Sequence, residues 1–355
     1  MSFDFGNKIR ISIFGRSHSE EIGVTIDGLP KGFKIDEEKL SSFMLRRAPG
    51  RDKFSTTRKE PDRPEITSGV TDGVTNGETF RAVIKNTNKR SNDYDNLKGI
   101  PRPGHADFSA YSKYGTDYDM AGGGEFSGRL TAPLCIAGGI LKQMLEEKGI
   151  HIGAHISSIV NVKDDRFSPT AVNKNDFVGD KEFPVINDAR GEEMQKEILA
   201  AKETGDSVGG TIECAITGIP SGVGNTFFGG WESAISSAVF AIPAVKGIEF
   251  GRGFEASTLR GSENNDAFIL DGDKVVTKTN NHGGILGGIA SGMPIIFNVA
   301  FKPTPSIAKK QKSVDLNKME ETSIVITGRH DPCIVKRAVP CVEAAAAIAI
   351  ANIIL

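Results

Sequence analysis

A turn of seven residues occurs twice in this chain and constrains the fold more than any other feature. Ile26-Asp27-Gly28-Leu29-Pro30-Lys31-Gly32 is echoed by Ile216-Thr217-Gly218-Ile219-Pro220-Ser221-Gly222. Glycine tolerates backbone conformations that side chains forbid and proline fixes φ, so the pattern dictates a path of the chain. Each copy is followed by a helical stretch, a Gly-containing approach to a strand (Thr75-Asn76-Gly77 and Ala290-Ser291-Gly292), a loop with His and Asp, and an alanine-containing helix. The shared order predicts internal pseudo-symmetry. We expect one α+β domain over residues 1–355, with halves of about 1–150 and 205–355 and a polar connection at about 161–190.

Local patterns fill in the elements. Ile9, Ile11 and Ile13 alternate with polar or aromatic neighbours and predict an opening strand, and Val24 to Asp27 predict a second. Asp36 is placed to cap a helix whose first turn holds Glu37 and Glu38 and whose inner face is Leu40, Phe43 and Met44. A long helix is expected over Ser127–Lys148, and shorter ones over Gly191–Glu203 and Glu232–Ala241. Asp331-Pro332 reads as the cap of a final helix. That alanine-rich tail, Ala338 to Leu355, contains Pro340, Glu343 and Asn352, which suits a buried core helix better than a membrane anchor.

Chemistry concentrates in three loops. Pro101-Arg102-Pro103-Gly104-His105-Ala106-Asp107 sets an Arg, a His and an Asp on a backbone stiffened by two prolines, and rigid loops with titratable groups are where function concentrates. Gly15-Arg16-Ser17-His18-Ser19 and Gly328-Arg329-His330-Asp331-Pro332 repeat the pairing of His with a nearby Arg, so three of the six histidines lie in such settings. A basic stretch, Arg46, Arg47, Arg51, Lys53, Arg58, Lys59 and Arg63, is interleaved with Asp52, Glu60 and Asp62. Guanidinium forks beside imidazoles suit a multiply anionic small molecule and proton transfer to or from it.

Several classes drop out. A formal net charge of -2 argues against a general nucleic-acid binder. Neither a GxGxxG after a strand nor a GxxxxGK[ST] run is present, so the dinucleotide and P-loop fingerprints fail. Cys135, Cys214, Cys333 and Cys341 show no CxxC or metal-finger spacing, which implies free thiols, a reducing cytoplasm and no metal site. The start has no charged region followed by an apolar one, so no signal peptide is expected and no membrane association either. On residues alone the reaction stays open, and a binding module for an anionic polymer remains an alternative.

The ordered motifs go further, because they resemble chorismate synthase along essentially the whole chain. The matching segments include Gly15-x-Ser17-His18, Arg46-Arg47-x-Pro49-Gly50, Ser68-Gly69-Val70, Pro101 to Asp107, Gly122-Gly123-Gly124-x-x-Ser127-x-Arg129-x-Thr131, Gly205 to Gly210, Lys302-Pro303-Thr304 and Gly328 to Pro332. The resemblance implies a sandwich of long helices between antiparallel sheets, assembled as a homotetramer. It implies 1,4-elimination of phosphate from 5-enolpyruvylshikimate 3-phosphate to give chorismate, with reduced FMN (FMNH2) required but no net redox change, and a flavin reductase or other external supply of that cofactor.

Carried over by position, His18 would protonate the departing phosphate, His105 would sit at the pyrimidine edge of the flavin, and Ser17 and Asp331 would form a proton relay through its N5. Arg46, Arg47, Arg102, Ser127, Arg129 and Arg329 match substrate-side positions. Lys53, His105, Ala244, Lys302, Ser306, Arg329 and Asp331 match cofactor-side positions. The chain departs from the family pattern at Arg16, Ser19, Ala48, Lys53, Glu125, Phe126 and Pro243. The alternative to an active enzyme is a catalytically weak or inactive paralogue that binds a phosphorylated, carboxylated metabolite.

Overall fold

The structure, a computed structural model, describes residues 2–50, 52, 54–55, 60, 62–86, 99–115, 121–326, 328 and 330–355. Two five-stranded antiparallel sheets enclose two long helices. The first sheet is built from β1 (Ser2–Phe5), β2 (Arg10–Gly15), β3 (Glu21–Asp27), β4 (Glu65–Ser68) and β7 (Phe80–Lys85), in the order β1-β2-β3-β7-β4. A small hairpin, β5 (Val70–Thr71) and β6 (Val74–Thr75), lies between β4 and β7 in the chain. The second sheet uses β8 (His151–Ile159), β9 (Val162–Lys163), β10 (Gly210–Thr217), β11 (Val245–Phe250) and β16 (Ile295–Phe301), in the order β11-β16-β10-β8-β9. Between β11 and β16 come the hairpins β12 (Phe268–Asp271) with β13 (Lys274–Thr277) and β14 (Ile285–Leu286) with β15 (Ile289–Ala290). A last hairpin joins β17 (Gln311–Asp315) to β18 (Glu320–Ile324).

The repeated turns occupy equivalent places. One follows β3 and the other β10, and in both the first glycine has φ 87°. A Cβ on Gly28 would stand 2.2 Å from the Lys8 carbonyl oxygen, and one on Gly218 2.1 Å from that of Gly149, so no other residue fits either position. Gly32 then donates to the Thr75 carbonyl on β6 at 2.8 Å, and Gly222 to the Ala290 carbonyl on β15 at 2.9 Å. Ile26 pairs with Ile11 across the first sheet as Ile216 pairs with Ile152 across the second. The strand order β2-β3-β7-β4 is thus repeated as β8-β10-β16-β11, which is the pseudo-symmetry expected from the turns.

Helices α1 (Glu37–Arg47), α2 (Asp107–Tyr114), α3 (Thr131–Glu147), α4 (Asp188–Glu203), α5 (Trp231–Phe240), α6 (Gly261–Asn264) and α7 (Val335–Ile354) complete the fold. α3 lies on the first sheet and α7 on the second, and the two pack on each other with almost no exposed surface. Their closest approach needs Gly138, where a Cβ would meet the Ala344 Cα at 2.3 Å. The run of alanines from Ala344 to Ala347 keeps α7 slim enough for this contact, and burial of its apolar surface stabilises the layer. α7 is long and apolar enough to cross a membrane, but most of it lies inside the core, as expected for that tail.

Boundaries differ from expectation in two instructive places. The helix expected over Ser127–Lys148 starts as a 3-10 turn, Gly128–Leu130, in which Ser127 Oγ accepts the Arg129 amide at 3.2 Å, and becomes α3 at Thr131. Asp331 does not cap the last helix: the chain runs on to Ile334 before α7 begins, and the Asp331 carboxylate turns to Arg337 on that helix at 2.5 Å. The polar stretch after β9 contributes Phe167 and Val172 to a small apolar cluster with Ala215 and Ile296 of the second sheet.

Candidate active site

The His105 loop folds around one carboxylate. Asp107 opens α2, where a negative charge complements the helix dipole. Its oxygens accept from the Arg102 amide (3.0 Å), Arg102 Nε (2.7 Å) and Nη2 (2.7 Å), and lie 2.6 Å from His105 Nδ1. Burial alone would raise the pKa of Asp107, but hydrogen bonds from Arg102 and His105 outweigh it and hold the carboxyl well below the usual carboxylate range. Arg102 Nη2 also lies 3.1 Å from His105 Nδ1, yet a guanidinium only donates, so an ionised Asp107 fixes the proton on Nδ1. His105 Nε2 is left toward the cavity, 3.3 Å from where a Cβ on Gly123 would stand.

A second cluster sits deeper. Arg47, from the last turn of α1, and Arg129, from the turn before α3, share Asp62 between them. Arg129 Nε also meets Glu60 Oε2 at 3.0 Å and Asn86 Oδ1 at 3.2 Å. All four charged groups are buried.

The second half supplies the opposite wall. Ala244 takes a left-handed backbone (φ 74°), which costs a non-glycine residue about 1–2 kcal/mol and marks a constrained position. Its carbonyl accepts the Lys302 amide at 3.0 Å, while the Lys302 ammonium donates to the Gly104 carbonyl in the His105 loop. Burial, then the nearby Lys246 charge, holds Lys302 below the ordinary ammonium range. Ser306 Oγ lies 3.5 Å from Arg102 Nη1. Arg337 pairs with Asp331 and donates from Nε to the Arg47 carbonyl at 3.1 Å, tying α7 to the end of α1.

Most of these groups line one cavity of about 790 Å³, with Asp62, Asn86 and Asp107 behind its wall. It brings together Arg47, Arg102, His105, Ser127, Arg129, Ala244, Lys302, Ser306 and Asp331 of the expected residues. Ile11, Ile13, Leu134, Ile334, Ala338 and Ile348 form an apolar floor, so a flat, mostly apolar ring system with polar edges and an anionic tail fits the donor set.

Two groups of expected residues stand outside this lining. Arg46 does not line the cavity: a helix turns about 100° per residue, and Arg46 points to Glu343, bonded bidentately at 2.9 and 2.6 Å. Ser17 and His18 are not in the lining either; the Ser17 amide donates to the Gly124 carbonyl at 3.1 Å, which docks their loop against the segment carrying Glu125 and Ser127, and Ser17 Oγ lies 2.9 Å from His18 Nδ1. Lys53 and Arg329 lie outside the described residues. Arg337, Lys246 and the carboxylates Glu60 and Asp62 were not among the site groups expected from the sequence, whereas Asp107 was marked by its place in the rigid His105 loop. The one local signal was Lys336-Arg337 at the start of an apolar helix, where cations oppose the dipole unless an anion is near.

Comparison with known proteins identifies relatives over nearly the whole chain. A family profile described as chorismate synthase matches residues 9–355. The chain is 45% identical to a chorismate synthase of Lancefieldella parvula over 99% of its length and 95% of that protein. It is 43% identical to one of Thermococcus kodakarensis, over 99% of this chain and 97% of that one. A crystal structure of chorismate synthase superposes with a TM-score of 0.77 at 27% identity, covering 98% of this chain and 92% of the other. With a full-length profile match, such relatives and a common fold, the chain belongs to the chorismate synthase family.

Proposed function

We propose that this chain converts 5-enolpyruvylshikimate 3-phosphate to chorismate by 1,4-elimination of phosphate, the carbon–oxygen lyase reaction of its family, and that the flavin the family uses is reduced FMN held in the cavity. The elimination breaks one C–O and one C–H bond, forms a new double bond, and releases phosphate and a proton, so atoms and electrons balance without an oxidant. When bound, the reduced flavin supplies electron density to the reacting allylic system that is recovered by the end of the turnover.

The residues have distinct tasks. Arg129 and Arg337 offer guanidinium groups to phosphate or carboxylate from two walls, where burial strengthens each contact. His105, with Nδ1 tied to Asp107, presents Nε2 as the group that holds or passes a proton at the flavin's polar edge. His18, kept close by Ser17 and the Gly124 contact, is the acid for the leaving phosphate. Lys302 and Ser306 face the cofactor, and Asp331, oriented by Arg337, serves the proton relay with Ser17. The supporting observation is the convergence of His105, Arg129, Lys302 and Asp331, from loops of both halves, on a single cavity.

The same reading extends to the cell. Phe227, Phe228 (97% exposed), Phe254, Phe268 and Leu270 present apolar surface that supports assembly with further copies, taken here as the homotetramer. Four buried free thiols support a reducing cytoplasm, with a separate reductase supplying the reduced flavin.

The test is anaerobic chorismate formation from synthetic substrate with photoreduced FMN, oxidised FMN, or none. Product with reduced FMN only is expected. Equal rates with both flavin states would overturn the assignment, and tight substrate binding without turnover would favour the inactive paralogue.

A further inference from the structure

We infer that Asp62 is a positioning residue for this reaction: its buried carboxylate bridges Arg47 and Arg129 and sets where the second guanidinium presents its remaining edge to substrate. The inference rests on the functional reading above.

Asp62 is fully buried (0% exposed), with Oδ2 on Arg47 Nη1 and Oδ1 on Arg129 Nη1. Its backbone sits at φ 48°, a left-handed conformation that aspartate tolerates better than most residues but still at a cost. Strain of this kind persists where surrounding contacts determine the geometry, and here the contact is with two cavity-lining cations.

The two arginines are not equivalent. Arg47 has every side-chain nitrogen engaged: Nε with Thr131 Oγ1 at 3.0 Å, Nη1 with Asp62, and Nη2 with the Gly128 carbonyl at 3.0 Å. It is an anchor. Arg129 uses Nε for Glu60 and Asn86 and Nη1 for Asp62, while its Nη2 has no hydrogen-bond partner among the described residues. That edge is the one available to an incoming phosphate or carboxylate, and Asp62 fixes its direction by reference to the anchored Arg47.

Charge explains why the bridge is a carboxylate. Two buried guanidinium groups from different elements repel, and burial and the Arg47 charge both depress Arg129, against the pull of Asp62. An asparagine there would offer one oxygen and one NH2, and the NH2 would face a group that only donates.

Asp62→Asn and Asp62→Gly are therefore compared with wild type, each loaded with oxidised FMN and titrated calorimetrically with 5-enolpyruvylshikimate 3-phosphate. Glycine suits the left-handed backbone, so the second variant keeps the experiment decisive if the first does not fold. Substrate affinity should fall about 10- to 100-fold in a folded variant, as expected on unpairing a buried charge cluster, while FMN affinity stays within about threefold. Arg47→Gln should cost a similar factor, and the Asp62→Asn/Arg47→Gln double variant should be no worse than about threefold below either single, because the two act as one unit. Wild-type substrate affinity in a folded Asp62 variant overturns the inference, as do parallel losses for substrate and FMN or fully additive losses in the double variant. Failure of the wild-type protein itself to bind substrate overturns the functional reading instead.

Discussion

His105 and His155 both lean on a buried aspartate through Nδ1, at 2.6 Å to Asp107 and 3.0 Å to Asp164, yet the two regions use the same pairing for different ends. In the His105 loop the second nitrogen faces the cavity. On β8, His155 is sealed: its Nε2 meets Glu213 Oε2 at 3.0 Å from the paired position on β10, Arg166 and the Phe167 amide complete that carboxylate, and the Phe167 ring stands edge-on at 4.6 Å. Burial would lower the pKa of His155, but hydrogen bonds and charge from Asp164 and Glu213 outweigh it and raise the value above that of a free imidazole. An imidazole with both nitrogens committed holds a structure together; one with a nitrogen facing the cavity can move a proton.

The largest expected effect separates the two. His105→Ala should lower anaerobic turnover by about two to four orders of magnitude, the usual share of a placed proton-transfer group, with the melting temperature nearly unchanged. A variant that loses stability in parallel with rate would place His105 with His155.

Next, His155→Ala leaves Asp164 and Glu213 without their central partner, and denaturant unfolding should show a loss of about 3–5 kcal/mol, the range for a broken buried ion pair. Turnover of the folded fraction should persist. Lost turnover at unchanged stability would break the comparison.

The pH profile sharpens it with a smaller effect. Because the folded value of His155 is raised, its contribution to stability is full below the unfolded value of about 6.5 and is lost as pH rises through the folded value. Asp164 and Glu213 are depressed, so theirs is full above the unfolded values of about 4 and is lost as pH falls through the folded ones. The stability gap between wild type and His155→Ala should therefore be widest between about pH 5 and 6.5 and narrow in alkali. A gap independent of pH would show that His155 is not charged in the fold.

Arg46 gives the smallest effect on function. Arg46→Gln should leave the substrate KM within about threefold, since a site outside the cavity couples weakly to it. It should still lower stability, because Arg46 and Lys142 are what bring the buried Glu343 down to about 2. A large rise in KM would return Arg46 to the substrate clamp.

The same residues show how far the sequence could be read. Asp36, Glu37 and Glu38 marked the start of α1 because capping is local, and the Asp36 side chain does accept the Lys39 amide at 2.9 Å. The two Gly-x-Pro-x-Gly turns marked the repeat because their backbone demand is local too. The rigid His105 loop was visible as a site for the same reason. Arg46 and Arg47 were indistinguishable, since their separation depends on Glu343 and Asp62, which stand 297 and 15 positions away. Asp331 looked like a cap because Asp-Pro usually is one, and only the fold brings Arg337 to it. His155 carried no motif at all; its partners are set by strand register.

The central claim is that the cavity between the two halves, with His105 on its wall, holds cofactor and substrate together. Diffraction from crystals grown with oxidised FMN and 5-enolpyruvylshikimate 3-phosphate tests it most directly. The account predicts flavin density between His105, Lys302 and Ala244 and phosphate density within hydrogen-bonding reach of Arg129 Nη2. Ordered ligands outside this cavity, beside Arg46 and Glu343 for example, would contradict it.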